Sequence, residues 1–281
     1  MEIKKVMVVG AGIMGSGIAQ VCIEHGFETI LTDVAIEYSK AGREKITYFL
    51  QRKVEKGKMT AEERDKALSL LKVGGSFEEG ADADLVIEAV TENVEIKKST
   101  FVKLDEICKP EAILASNTST ISITLLGGAT KRPDKVIGTH FFVPPPAMQL
   151  IEVIPGILTS AETETIAMEF SKALGKTPVK APDTSAFIVN RLLVPMWNEA
   201  MFLVMEGNKP EDIDTAMKLG ANFPMGPLEL ADYAGLDTVL AVMKQMYEDL
   251  GDTKYRPCPL LKKMVNARLL GRKTKIGFYQ Y

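Results

Sequence analysis

Through the first part of the chain, short runs of Val, Ile and Leu alternate with longer stretches whose apolar residues recur every three or four positions. The short runs are Lys5–Val9, Glu28–Thr32, Leu85–Glu88, Ile113–Ser116 and 136–139. They are nearly continuous in apolar residues, which predicts strands covered on both faces. The periodic stretches predict helices over 14–25, 36–56, 61–71 and 95–107, with Gly26 where a helix-ending glycine belongs. A further apolar run at 150–154, a helix over 161–174 and a late strand Thr177–Lys180 follow. Strand and helix in alternation predict an α/β fold, a doubly wound and mostly parallel sheet with crossover helices.

Beyond Asp183 the pattern changes. Helical periodicity covers 189–206, 210–219, 228–250 and 259–269, and no strong strand pattern remains. The boundary falls within 181–187, so the expected domains are 1–184 and an all-α C-terminal domain, 185–281. A helical domain of roughly 95 residues is small for a self-sufficient core. Met196, Trp197, Met201, Phe202, Leu203 and Met205 crowd one helix. Burial of that helix at a homodimer interface is the expected outlet.

Composition narrows the class without naming it. Apolar residues make up 46% and charged residues 25% of 281, the balance of an ordinary soluble protein. A net charge of −3 offers no global reason to expect binding to nucleic acid or to a membrane. No uncharged apolar stretch approaches the roughly 18 residues of a spanning helix. Met-Glu-Ile-Lys-Lys-Val runs straight into a strand, leaving no room for a signal peptide. Cys22, Cys108 and Cys258 are odd in number and far apart, and read as reduced thiols of a cytoplasmic protein. With two histidines and no cysteine pair, no zinc or iron site is expected.

One of those histidines carries the chemistry. His140 ends a β-type run and precedes Phe141, Phe142, Val143 and three prolines, after which the run at 150–154 holds a single acid, Glu152. An acid in an otherwise buried run requires a partner, because an unpaired buried charge is very costly. A strand, a tight turn and a returning strand bring Glu152 to His140. Such a pair orients the ring for general acid/base work. A core histidine satisfied by one neighbour is the competing reading, and both stand at this point.

A cofactor site is written more plainly. Gly10-Ala11-Gly12-Ile13-Met14-Gly15 follows the first strand and opens the first helix, the context in which three glycines make a tight turn, admit a pyrophosphate and pack helix on strand. Asp33 closes the second strand, 18 positions after Gly15, where an acid accepts both ribose hydroxyls and repels a 2′-phosphate. The fold expected is therefore Rossmann-like, and the cofactor NAD rather than NADP. Glu88, Thr91, Glu92, Asn93 and Lys97 follow the next strand, and Asn117, Thr118 and Ser119 the one after, at the carboxyl end where open α/β sheets bind ligands. The latter three equally suit caps for a helix over 120–126.

Taken together, GAGIMGSGIAQ at 10–20, DLVIEAVTEN at 84–93, ILASNTSTISI at 113–123, the His140–Ile154 segment, FIVNRLL at 187–193 and GANFPMGPLELADYAGLDT at 220–238 closely match one family. From Lys5 to Tyr281 the chain resembles the short-chain L-3-hydroxyacyl-CoA dehydrogenases, most of all bacterial members acting on four-carbon thioesters. The resemblance implies NAD-dependent oxidation of (S)-3-hydroxybutyryl-CoA to acetoacetyl-CoA and the reverse, in fatty acid or butyrate metabolism. It implies His140 as the base, Glu152 as its orienting acid, and Ser119 and Asn190 as the groups that position the substrate oxygen. It assigns Gly10, Gly12, Ile13, Met14, Gly15, Asp33, Glu92, Lys97, Asn117, Ser119, Val143 and Lys273 to the cofactor. It also assigns Arg52 and Lys56, one helical turn apart, to the nucleotide end of coenzyme A. From spacing alone that basic run reads as a solvated face.

The chain departs from the family pattern at three places. Val143 stands where the family usually has Asn beside the cofactor, Ser185-Ala186 replace Pro-Gly, and Lys275-Ile276 precede Gly277 where Gly-(Lys/Arg) is usual. Pro145 extends the proline run. If the missing glycine requires positive φ, Ala186 carries about 1 kcal/mol of strain or rearranges the hinge. Two further readings remain: a dehydrogenase of free hydroxy acids, and a non-catalytic homologue that binds NAD or coenzyme A.

Overall fold

The computed structural model describes residues 2–281, and the chain divides after Asp183 into two compact units. In the first, β1 (Lys5–Val9), β2 (Glu28–Thr32), β3 (Leu71–Gly74), β4 (Leu85–Glu88), β5 (Ile113–Ser116), β6 (Val136–Phe141), β7 (Leu150–Pro155) and β8 (Thr177–Lys180) form one sheet. Its strand order is β3-β2-β1-β4-β5-β6-β7-β8. The first six strands pair in parallel, β7 runs antiparallel to β6, and β8 is parallel to β7. The strand order reverses direction between β1 and β4, the point at which such sheets open a crevice at their carboxyl ends.

Helices α1 (Ile13–Glu24), α2 (Ile36–Glu55), α3 (Ala61–Ser69), α4 (Val94–Ile107), α5 (Ile123–Gly127) and α6 (Ala161–Ala173) flank the sheet. Val6, Val8, Ile87, Ala115, Ile137 and Val153 form one face of it and pack with Ile18, Ile46, Leu50 and Phe170 from α1, α2 and α6. Each such side chain contributes about 1.5–3 kcal/mol on burial, which outweighs the modest helix propensity of the segments that cover it.

The helix expected over 61–71 stops at Ser69, and Leu71–Gly74 form the edge strand β3 against β2. Four residues with one exposed lysine are too few to show a period of two beside a helix end. The helix expected at 120–126 begins only at Ile123, with Ser122 as its cap.

The second unit is helical: α7 (Val189–Met205), α8 (Pro210–Gly220), α9 (Pro227–Ala234), α10 (Leu236–Leu250) and α11 (Pro259–Asn266). Trp197, Met201, Leu228, Leu236, Met243, Met246 and Leu261 make its core. The single helix expected over 228–250 is two, broken at Gly235. That residue has φ +96°, and a Cβ on it would lie 2.5 Å from Lys273 Cε. An isolated glycine leaves the apolar period intact, so the reversal is invisible to it.

The C-terminal segment is pinned by two buried aspartates. Asp214 accepts from the amides of Leu228 and Glu229 at 2.8 and 2.9 Å and from the Tyr279 hydroxyl at 2.8 Å. Asp232 accepts from Tyr279 N–H at 3.0 Å, and burial pushes its carboxyl above the ordinary range.

Ala186 and Phe187 both adopt positive φ, 65° and 51°, so the alanine does occupy a left-handed position. Lys275 does the same at 66°, with its side chain in solvent. For an L-residue that conformation costs about 1–2 kcal/mol, while glycine's extra freedom in the unfolded chain returns about 0.4–1. Lys275→Gly should therefore raise stability by about 0.5–1 kcal/mol. Chemical denaturation checks this, and a loss of stability would contradict it.

Candidate active site

The antiparallel pairing of β6 and β7 places His140 directly opposite Glu152. Both are buried, and the His140 Nδ1–H donates to Glu152 Oε2 at 2.7 Å. A carboxylate only accepts, which assigns a proton to Nδ1; in the neutral imidazole the lone pair is then on Nε2. Ser119 Oγ lies 3.1 Å from that Nε2, on the loop leaving β5. Phe142 covers one side of the imidazole, ring centroids 4.5 Å apart. The ring is thus held on three sides with its basic nitrogen toward a part-exposed hydroxyl.

Ser119 rests on a polar shelf. Its amide donates to Glu92 Oε1 at 2.8 Å, as does the Thr118 hydroxyl at 2.6 Å. Lys97, buried, bonds Glu88 at 2.6 Å and reaches Glu92 at 3.3 Å. Glu88 also accepts from the Ser116 hydroxyl at 2.7 Å. Asn117 Oδ1 accepts from Phe141 N–H at 2.9 Å and so ties β5 to the strand of His140. The cap of α5 falls to Ser122 rather than to the residues directly after β5, of which Thr118 and Ser119 brace Glu92. Burial acts to raise the Glu92 carboxyl, but the Lys97 charge and these hydrogen bonds outweigh it and hold it below the ordinary carboxylate range.

The glycine-rich turn leaves β1 at the switch point. Gly10 has φ +101°, and a Cβ there would lie 2.6 Å from Ala89 O. On Gly15 it would meet Gly10 O, and beside Gly12 there is open space. A cavity of about 350 Å³ adjoins, lined by Gly10, Gly12, Asp33, Val34, Ala89 and Val90 among others. Asp33 is fixed there by the amides of Ala11 and Val34 at 2.6 and 2.7 Å. Val34 stands exposed at its edge, and Ile13, the first residue of α1, is exposed in the lining of the neighbouring groove. Bare backbone at a helix N-terminus beside an oriented carboxylate fits a dinucleotide, with its phosphates at the turn and a ribose at the acid.

A second groove, about 940 Å³, lies between α1, α2 and the turn after β6. Tyr48, Phe49, Arg52, Lys53, Lys56 and the prolines 144–146 line it. Arg52 is paired with Glu55 at 2.8 Å and Lys53 with Glu24 at 2.6 Å. Val143 is half-exposed in the turn. Asn190, partly buried, is the second residue of α7, and Lys273 bonds Asp237 at 2.8 Å; both belong to the second unit. The sequence left Ser116 and Lys176 unassigned. Their hydrogen-bond partners lie far away in the chain, and no local pattern announces them.

A nucleotide cradle at the switch point of a parallel sheet, two strands from a carboxylate-oriented histidine, defines the dehydrogenase class. Comparison with known proteins narrows that class. The chain belongs to the 3-hydroxyacyl-CoA dehydrogenase family: residues 5–184 match its NAD binding domain and residues 187–281 its C-terminal domain. A probable 3-hydroxybutyryl-CoA dehydrogenase of Bacillus subtilis is 50% identical over 282 residues, covering 100% of this chain and 98% of that protein. A 3-hydroxybutyryl-CoA dehydrogenase of Clostridioides difficile is 50% identical over 281 residues, covering 99% of each. The crystal structure of (S)-3-hydroxybutyryl-CoA dehydrogenase from Ralstonia eutropha superposes with a TM-score of 0.97 at 44% identity, covering 100% of this chain and 99% of that one.

Two outcomes are expected. Gly10→Ala should weaken NADH binding by at least about tenfold, since 1.4 kcal/mol suffices and a Cβ 2.6 Å from a carbonyl oxygen cannot be housed without moving β4; fluorescence titration measures it, and unchanged affinity would contradict it. Because the Glu92 carboxyl is lowered on folding, its stabilisation is full above its unfolded pKa and fades as pH falls through the folded value. The stability difference between the parent protein and Glu92→Gln should shrink from neutral pH toward pH about 3. A difference that grows on acidification would reverse the sign.

Proposed function

We propose that this protein interconverts (S)-3-hydroxybutyryl-CoA and acetoacetyl-CoA with NAD, His140 serving as the acid/base. The observation that carries the reading is the Ser119–His140–Glu152 chain, its histidine and glutamate buried and its serine part-exposed, beside a dinucleotide cradle. NAD bound in the cradle supplies the hydride acceptor at C3 of the thioester. Gly10, Gly12, Ile13, Met14 and Gly15 would hold its phosphates and Asp33 its ribose; the family resemblance adds Asn117, Ser119, Glu92, Val143 and Lys273 as contacts, and Lys97 as a residue acting through Glu92.

In the oxidative direction His140 Nε2 takes the proton of the 3-hydroxyl. Glu152 stabilises the imidazolium that results and keeps the ring aimed. Ser119 would hold the same oxygen, a role the family resemblance also gives to Asn190, and Glu92, braced by Lys97, keeps Ser119 in place. No metal is needed, because the developing alkoxide is neutralised by proton transfer as hydride leaves. Arg52 and Lys56 take the phosphates of coenzyme A, in keeping with the basic, partly apolar groove they line. The exposed Leu192, Met205 and Leu219 of the helical unit are in keeping with a homodimer formed there. Among the described residues no helix is long and apolar enough to cross a membrane, and a cytoplasmic location accords with three buried, unpaired cysteines.

Mixing the protein with acetoacetyl-CoA and NADH should cause loss of nicotinamide absorbance; no turnover at any thioester concentration would refute the activity. His140→Gln should lower kcat by about 10²–10⁴ while NADH affinity stays within about threefold. Near-normal turnover in that variant would remove His140 as the base.

A further inference from the structure

Lys176 lies between α6 and β8 and is buried, yet among the described residues no carboxylate lies within ion-pair distance of its ammonium. Its Nζ instead donates to two backbone carbonyls, Pro145 O at 2.9 Å and Met148 O at 2.8 Å. Burial pushes the ammonium below the ordinary lysine range, with Glu24 acting against this and Lys53 with it. Those two neighbours are already paired with each other at 2.6 Å. A buried ammonium is retained only where it satisfies groups that nothing else reaches. Here those groups belong to the turn that joins β6 to β7.

The turn is seated from two further sides. Thr177 N–H donates to Gln149 O at 2.8 Å, closing its far end onto β8. Pro145 packs on α1 at Gly17, where a Cβ would come within 2.7 Å of its ring. Pro144, Pro145, Pro146 and Ala147 form one wall of the 940 Å³ groove, and Tyr48, Phe49, Arg52 and Lys56 line it from α2. The carbonyls that Lys176 grips thus set where that wall stands.

We infer that Lys176 is a positioning residue for coenzyme A recognition, holding the proline turn as a wall of the groove that receives the nucleotide end of the thioester. This rests on the function proposed above. Lys176 itself touches no substrate; it acts through Pro145 and Met148.

The test compares two substrates, acetoacetyl-CoA and the acetoacetyl thioester of N-acetylcysteamine, which lacks the nucleotide. In Lys176→Met, KM for the coenzyme A thioester should rise about tenfold with kcat within about threefold, and kcat/KM for the short thioester should hold. Lys176→Arg, which keeps the charge and the donors, should recover much of the loss. Should Lys176→Met fail to fold, Gly17→Ala displaces the same wall from α1 and should give the same split. An equal loss on both thioesters would mark a merely structural lysine and overturn the inference, as would no loss on either. A parent protein that uses both thioesters with equal kcat/KM removes the groove as the coenzyme A site, and the inference with it. A parent protein inactive on both refutes the function itself.

Discussion

Glu152 sits in β7 without exposure to solvent, and a carboxylate so placed must meet donors or leave its strand. Removing one partner of a buried pair typically costs 3–5 kcal/mol, a large share of the 5–15 kcal/mol by which domains are stable. The antiparallel return of β7 along β6 is the arrangement that meets this demand, with His140 in register. Once the pair is made, the imidazole has one tautomer and one orientation. The sheet's change of direction at its far end is thus inseparable from the chemistry placed there.

A second buried pair, Glu88 with Lys97, performs related work on the neighbouring strands. Glu88 ends β4, Ser116 ends β5, and the lysine reaches up from α4, so three elements meet in one polar knot. Its second contact, to Glu92, extends the knot to the loop that carries Ser119. Lys97 is assigned to the cofactor by family resemblance, yet its ammonium lies beneath the shelf, so its effect on anything bound above is transmitted through Glu92.

Much of this was legible in the sequence. Continuous apolar strands, the glycine-rich turn and Asp33 each announce themselves within a few residues, because turn chemistry and burial are local demands. The contact of His140 with Glu152 was legible for a different reason: a lone acid in an apolar run can be satisfied in few ways. What escaped was non-local or geometric. β3 is too short to show a period, and the break at Gly235 lies in backbone dihedrals that apolar spacing does not encode. The grip of Lys176 on Pro145 spans 31 residues with no motif at either end.

The glycine-rich segment also meets the proline turn. Gly17 lies one turn into α1 and is kept bare by the ring of Pro145. The nucleotide fingerprint and the proline turn therefore share an atom-to-atom boundary. A fingerprint loop grafted from another dinucleotide-binding protein would carry its cofactor function across, and would still fail here wherever the donor has a side chain at this position. In this fold the two ligand regions are not separable modules: drift at one is policed by the other, and substitutions at Gly17 and Pro145 are expected to be tolerated only in company.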